Sequence, residues 1–312
     1  MNKAVNRKVI CDVLLENATH DPDIFVLCSD SMGSSSVTAF KEQYPQQFVE
    51  VGIAEQNLVT IAAGMAKCGK KTFAFSPACF LSTRSMEQVK VDCGYNDTNV
   101  TLVGVSGGVS YGALGLTHHA TQDIATMGSC PNMRVYLPSD AFVTSSLLRA
   151  LLEDRHPAYI RVGRSASPAI YGSDTAFTLN QALTAYDGGD GQTADYAVIA
   201  CGDQVAAAVE AAKTLKEEGI RVRVIDMYCV KPVDRAAILR AAQETKGILT
   251  VEEHSICGGL GSIVAQVTAA ECPCRVKNLA LPDEPVIAGE EPEVLAYYGL
   301  DAAGIVRALK AY

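Results

Sequence analysis

Two short stretches carry residues whose types and positions suit chemistry. In Glu50-Val51-Gly52-Ile53-Ala54-Glu55-Gln56-Asn57, Glu55 falls in the first turn of an expected helix, directly after a strand. That places it at the carboxyl edge of a parallel sheet, where open α/β folds bind ligands. A carboxylate there can exchange a proton with a ligand, or it can simply complement the helix dipole, worth about a few tenths of a kcal/mol. The second stretch, Leu116-Thr117-His118-His119-Ala120-Thr121-Gln122-Asp123, follows a glycine-rich loop. Adjacent side chains diverge, so His118 and His119 make a poor bidentate metal site. They suit proton carriers or polarising donors on a pocket rim, or two solvated loop residues.

Other motif matches fail on context. Gly64 to Lys70 fits a phosphate-loop pattern, but Lys71 stands where a hydroxyl is needed. It also ends a helix, whereas a phosphate loop must open one so that its N–H groups face the anion. Gly104-Val105-Ser106-Gly107-Gly108 fits G-x-S-x-G, yet further glycines at 112 and 115 disfavour the helix that a nucleophile elbow requires. A serine hydrolase is therefore a remote alternative. Gly189-Asp190-Gly191 reads as an interdomain turn.

The elements that must position these residues follow from length and patterning. At about 150 residues per domain, 312 residues predict two domains. A net charge of −9 argues against a nucleic-acid-binding face, and no apolar run is long enough for a membrane span. The N-terminus lacks an apolar signal core, which with eleven scattered cysteines and no C-x-x-C pair predicts a reducing, cytoplasmic setting. Strand-like runs at 24–28, 48–51, 72–75, 100–105, 133–137 and 158–162 alternate with helical stretches, including 54–68. Turn composition loosens the pattern near 172–191, and alternation then resumes with strands at 196–201, 222–226 and 248–252. The expectation is an α/β protein of two doubly wound domains, 1–172 and 193–312, joined by a linker over 173–192.

Taken together, these stretches resemble the transketolase family of thiamine diphosphate enzymes. Gly52-Ile53-Ala54-Glu55-Gln56-Asn57 is similar to the family's G-I-x-E-Q-N element, and Arg84-Ser85-Met86-Glu87-Gln88-Val89 to its R-A-F-D-Q-I helix. Leu116-Thr117-His118-His119 resembles its G-P-T-H loop. Asp226 to Asp234, and Glu252-Glu253-His254 through Gly258-Gly259-Leu260-Gly261-Ser262, resemble its C-terminal domain. The resemblance implies a pyrimidine-binding domain followed by a smaller C-terminal domain, and a two-carbon ketol transfer between sugar phosphates or related substrates. The cofactor supplies the electron sink. The resemblance assigns Glu55 to activate its aminopyrimidine, as a buried carboxylate of raised pKa, and Phe80 to stack on the ring. It gives His118 a catalytic role near the reacting carbons. His119 is a second histidine on that loop with a substrate-binding role. Arg7, Ser34 and Arg164 fall where the family binds the substrate phosphate, with Arg161 a second candidate. His254 reads as structural.

Departures accompany the matches. Leu114 stands where transketolases place an aspartate that reads a substrate hydroxyl, Leu116 replaces the proline, and Ser106 a substrate-binding histidine. The family's G-D-G element with a later asparagine, which holds the diphosphate and Mg2+, has no counterpart, because no asparagine lies between Asn180 and Asn278. No metal ligand is assigned to this chain. It is expected to be the C-terminal subunit of a split transketolase, paired with an N-terminal subunit that carries the diphosphate and Mg2+ site, as a heterotetramer containing a homodimer. Alternatives are the beta subunit of a 2-oxo acid dehydrogenase E1, a 1-deoxyxylulose phosphate synthase-like enzyme and a silent scaffold subunit.

Overall fold

The computed structural model describes residues 3–189 and 193–312. The Asp190-Gly191 part of the expected turn, with Gln192, lies outside the described residues. No helix is long and apolar enough to cross a membrane among those described.

The first half builds a mixed seven-stranded sheet around the parallel run Phe48–Glu50, Ile24–Cys28, Lys71–Pro77, Val100–Val105, Ala158–Val162 and Arg134–Tyr136. Its central strands are buried along nearly their whole length, which is why they read as unbroken apolar runs rather than alternating ones. Helices Asn6–Ala18, Glu55–Lys67 and Ala141–Glu153 contribute apolar faces to its core. The second half has a five-stranded sheet in which Tyr196–Ala200, Val222–Asp226, Ile248–Ser255 and Val276–Leu281 run parallel.

Two strands cross the expected boundaries. Within the stretch read as linker, Leu183–Asp187 forms an antiparallel edge strand on the second sheet. Conversely Cys229–Lys231, from the second half, completes the first sheet by pairing antiparallel with Arg134–Tyr136. The segment between the halves is packed rather than free: Phe177 meets the Tyr228 ring at 5.2 Å, and Tyr136 donates to Asn180 at 2.8 Å. One apolar core accordingly runs through both halves, from Ile10 and Leu27 to Tyr228 and Val264, with a second core under the C-terminal sheet.

Candidate active site

The strand Phe48–Glu50 delivers the chain to the carboxyl edge of the first sheet, and Gly52 turns it with φ +73. Glu50 fixes that turn by accepting from the backbone N–H groups of Asp30 at 2.7 Å and Gly52 at 2.9 Å. Helix Glu55–Lys67 then begins on Glu55, whose side chain is only 2% exposed. Its Oε2 accepts from Arg84 Nη1 at 2.7 Å.

From that ion pair a continuous line of contacts crosses the site. The Arg84 guanidinium lies over the Phe80 ring at 4.6 Å, as residues one helical turn apart can do. Phe80 meets the His118 ring edge-on at 5.4 Å, and His118 meets Tyr111 at 5.7 Å. Arg164 then lies over the Tyr111 ring at 5.1 Å. Arg7 closes the line, donating from Nη1 to the Arg164 carbonyl at 2.5 Å and from Nε to Ser36 Oγ at 3.1 Å. Burial, and then the nearby charge of Arg164, lower the Arg7 pKa, so two cations crowd together where an anion would relieve them.

The structure thus brings together Glu55, Phe80, His118, Arg164 and Arg7. Ser34 lies in the same turn as Ser36 and donates to the Ser31 carbonyl at 2.9 Å. His119 departs from the rim position read for the histidine pair. It is 3% exposed, sits beneath the loop with Nε2 donating to the Gly112 carbonyl at 3.3 Å, and has a pKa lowered by burial. Its ring shapes the loop while His118 faces the site, held by Thr117 Oγ1 at 2.9 Å.

Arg161 is not available to a phosphate. It is buried in the seam between the halves, with Nη1 donating to Asp123 at 3.3 Å and Nη2 to the Glu253 carbonyl at 2.8 Å. Burial works against its charge, but Asp123 and Glu253 beside it hold it firmly protonated. Burial pushes Glu253 up to about 8 despite Arg161, and Val109 N–H donates to its Oε1 at 2.5 Å. His254 is fully buried in the same seam, accepting from Ala125 N–H at 3.3 Å while Nδ1 donates to the Ser255 carbonyl at 2.7 Å. Glu252 receives the Leu260 and Gly261 N–H groups at 2.6 and 2.8 Å, anchoring the glycine-rich entry to helix Leu260–Glu271. These C-terminal residues are architectural. Ser106 is also buried, and its hydroxyl has no hydrogen-bond partner among the described residues.

Sequence reasoning missed two members of the line. Arg84 was visible only as the first letter of a motif, although its i, i+4 spacing from Phe80 was a usable signal. Tyr111 sits among loop glycines with no periodicity to mark it.

For thiamine diphosphate, the residues present fit the pyrimidine end: a buried carboxylate at the sheet edge with an aromatic ring one contact away.

Comparisons with known proteins identify the family. Residues 2–169 match the family model for the transketolase pyrimidine-binding domain, and residues 190–305 that for the transketolase C-terminal domain. The chain is 48% identical to an apulose-4-phosphate transketolase subunit of Phocaeicola vulgatus, over 98% of this chain and 96% of that one. It is 35% identical to the 6-deoxy-6-sulfo-D-fructose transketolase subunit of Clostridium sp. strain MSTE9, over 97% and 92% respectively. Among solved structures, a split-gene transketolase described as an inactive beta4 tetramer superposes with a TM-score of 0.88 at 35% identity, over 99% of this chain and 98% of that one. The chain belongs to the transketolase family of thiamine diphosphate-dependent transferases, as the C-terminal subunit of the split type.

Proposed function

We propose that this chain performs ketol transfer together with an N-terminal partner subunit that holds the diphosphate and Mg2+, and that its own residues manage the aminopyrimidine and the substrate. The observation that carries this reading is the unbroken line Glu55–Arg84–Phe80–His118–Tyr111–Arg164–Arg7. When bound, the cofactor supplies the electron sink. Glu55 exchanges a proton with the pyrimidine ring nitrogen, and the Phe80 ring packs against that heterocycle and keeps water from it. His118 donates to substrate oxygen near the reacting carbons. Arg7 and Arg164, with Ser34, receive the anionic end, and His119 holds the loop that presents His118.

The names of the relatives support an anionic substrate, since one specifies a phosphate and the other a sulfo group. Assembly is supported by an apolar surface beside Glu55. Ile53 is 74% and Tyr95 81% exposed, with Ile61 and Val91 also exposed on neighbouring turns tied by Thr60 donating to Asp92 at 2.7 Å. Such a face suits a subunit interface, and a heterotetramer containing a homodimer would cover it. The cysteines are free and most are buried, which suits a cytoplasmic setting.

The test is calorimetric titration of thiamine diphosphate and Mg2+ into the chain alone and into the co-purified pair. Tight binding is expected only for the pair, because the chain alone leaves the diphosphate charge to water. Micromolar binding by the chain alone would refute the division of labour.

A further inference from the structure

Beside Tyr111 and Arg164 the site borders a crevice of about 420 Å³ between the two halves. One wall is the loop bearing Tyr111 and Leu114, and the other is the segment Glu290-Glu291-Pro292 of the C-terminal domain. The two walls are built to abut. Gly289 N–H donates to the Gly112 carbonyl at 3.2 Å, and a Cβ on Gly112 would collide with the Gly289 carbonyl oxygen.

The crevice holds an exchange of chemistry. Leu114, where the family resemblance places a hydroxyl-reading aspartate, is 54% exposed and can accept no hydrogen bond. Two carboxylates face the same space from the opposite wall. Glu290 is committed to its own helix, in a reciprocal capping box with Glu293. Glu291 turns away from its helix and across the domain seam, where Ser165 Oγ donates to its Oε2. That contact uses one oxygen of the carboxylate, and the second oxygen of this crevice-lining residue can accept a further hydrogen bond. We propose that Glu291 is a specificity-determining residue that accepts a hydroxyl of the sugar body, relocating to the C-terminal domain the task that Leu114 cannot perform.

This rests on the ketol-transfer reading and extends it: the preferred substrates are polyhydroxy carbonyl compounds with an anionic tail at Arg7 and Arg164 and a hydroxyl directed towards the C-terminal half. It also gives that half a part in recognition beyond packing.

The experiment uses the complex reconstituted with the N-terminal subunit and measures kcat/KM for ribose 5-phosphate, 2-deoxyribose 5-phosphate and 3-deoxyribose 5-phosphate as acceptors. Wild type should disfavour one deoxy sugar by about 10- to 100-fold, the scale for losing a hydrogen bond to a charged acceptor. Glu291→Ala should impose that same loss on ribose 5-phosphate, chiefly through KM, while leaving the disfavoured deoxy sugar within about threefold of wild type. Glu291→Gln, which keeps the side-chain volume, and Ser165→Ala, which frees the carboxylate, should give smaller losses on the hydroxylated sugar alone. Equal losses on all three sugars, no discrimination by wild type, or an active complex that accepts none of them would overturn the assignment. A complex with no ketol transfer to any acceptor would instead overturn the function proposed above.

Discussion

Replacing Arg161 with methionine keeps much of the side-chain volume and removes the charge that Asp123 and Glu253 share. Both partners are buried, and Asp123 has one further tie, from the Tyr159 hydroxyl at 2.7 Å. Removing one member of a buried ion pair costs about 3–5 kcal/mol, because the remaining charge is stranded away from water. Glu253 moderates that cost. With a pKa near 8 even beside Arg161, it is already largely protonated at pH 7, so Asp123 carries the charge that is stranded. The expected loss is therefore about 3 kcal/mol at pH 7, which at about 2–4 °C per kcal/mol for a chain of this size lowers Tm by about 6–12 °C. The loss should be larger at pH 9, where Glu253 ionises beside Arg161 in the wild type and lacks that partner in the variant, than at pH 6, where it is protonated in both. The assay is thermal unfolding followed by far-ultraviolet circular dichroism and tyrosine fluorescence, since the chain has no tryptophan. Adding Glu253→Gln should recover part of the loss. A Tm change below about 2 °C, on the same scaling, or an equal loss at pH 6 and pH 9 would refute the reasoning.

Four buried carboxylates titrate high, Asp203 near 6, Asp226 and Glu252 near 7 and Glu253 near 8, all from burial. Against unfolded values of about 4, the folded chain holds these protons more tightly, so this stabilisation is complete in acid and lost as pH rises through about 8. Tm should fall steadily from pH 5 to pH 9, and a rise across that range would contradict the burial argument. Glu55→Gln keeps the shape but removes the exchangeable acid, so ketol transfer by the reconstituted complex should drop by about 10² or more; near wild-type turnover would remove Glu55 from the chemistry. Leu114→Asp should shift preference towards common sugar phosphates such as xylulose 5-phosphate, and strong use of that donor by the unmodified complex would show that the leucine is no barrier. Gly112→Ala forces the loop off the Gly289 backbone, so substrate KM should rise while cofactor affinity, read by calorimetry, stays; an unchanged KM would show that the loop tolerates the displacement.

The parallel core was legible because its strands are buried on both faces and their apolar runs need no context. Val100–Val105 and Ala158–Val162 coincide with the residues read from sequence. The edge strands were not. Leu183–Asp187 is half-buried with no clean alternation, and Cys229–Lys231 is too short for a period, so only tertiary pairing defines them. The same divide runs through the site. Glu55 was legible because a strand–turn–helix junction fixes where its side chain starts. The residues that extend the line from it were not, since Arg84 and Tyr111 act through contacts made across elements. Arg161 shows the converse: an arginine beside a sheet edge reads as an anion ligand until the fold reveals two carboxylates already on it.

The strand that the second half lends to the first sheet limits how the chain can move. With Cys229–Lys231 hydrogen-bonded beside Arg134–Tyr136 and one apolar core spanning both halves, there is no plane along which the lobes could swing apart without breaking a ladder. A crevice that cannot open like a jaw must admit and release ligands along its length.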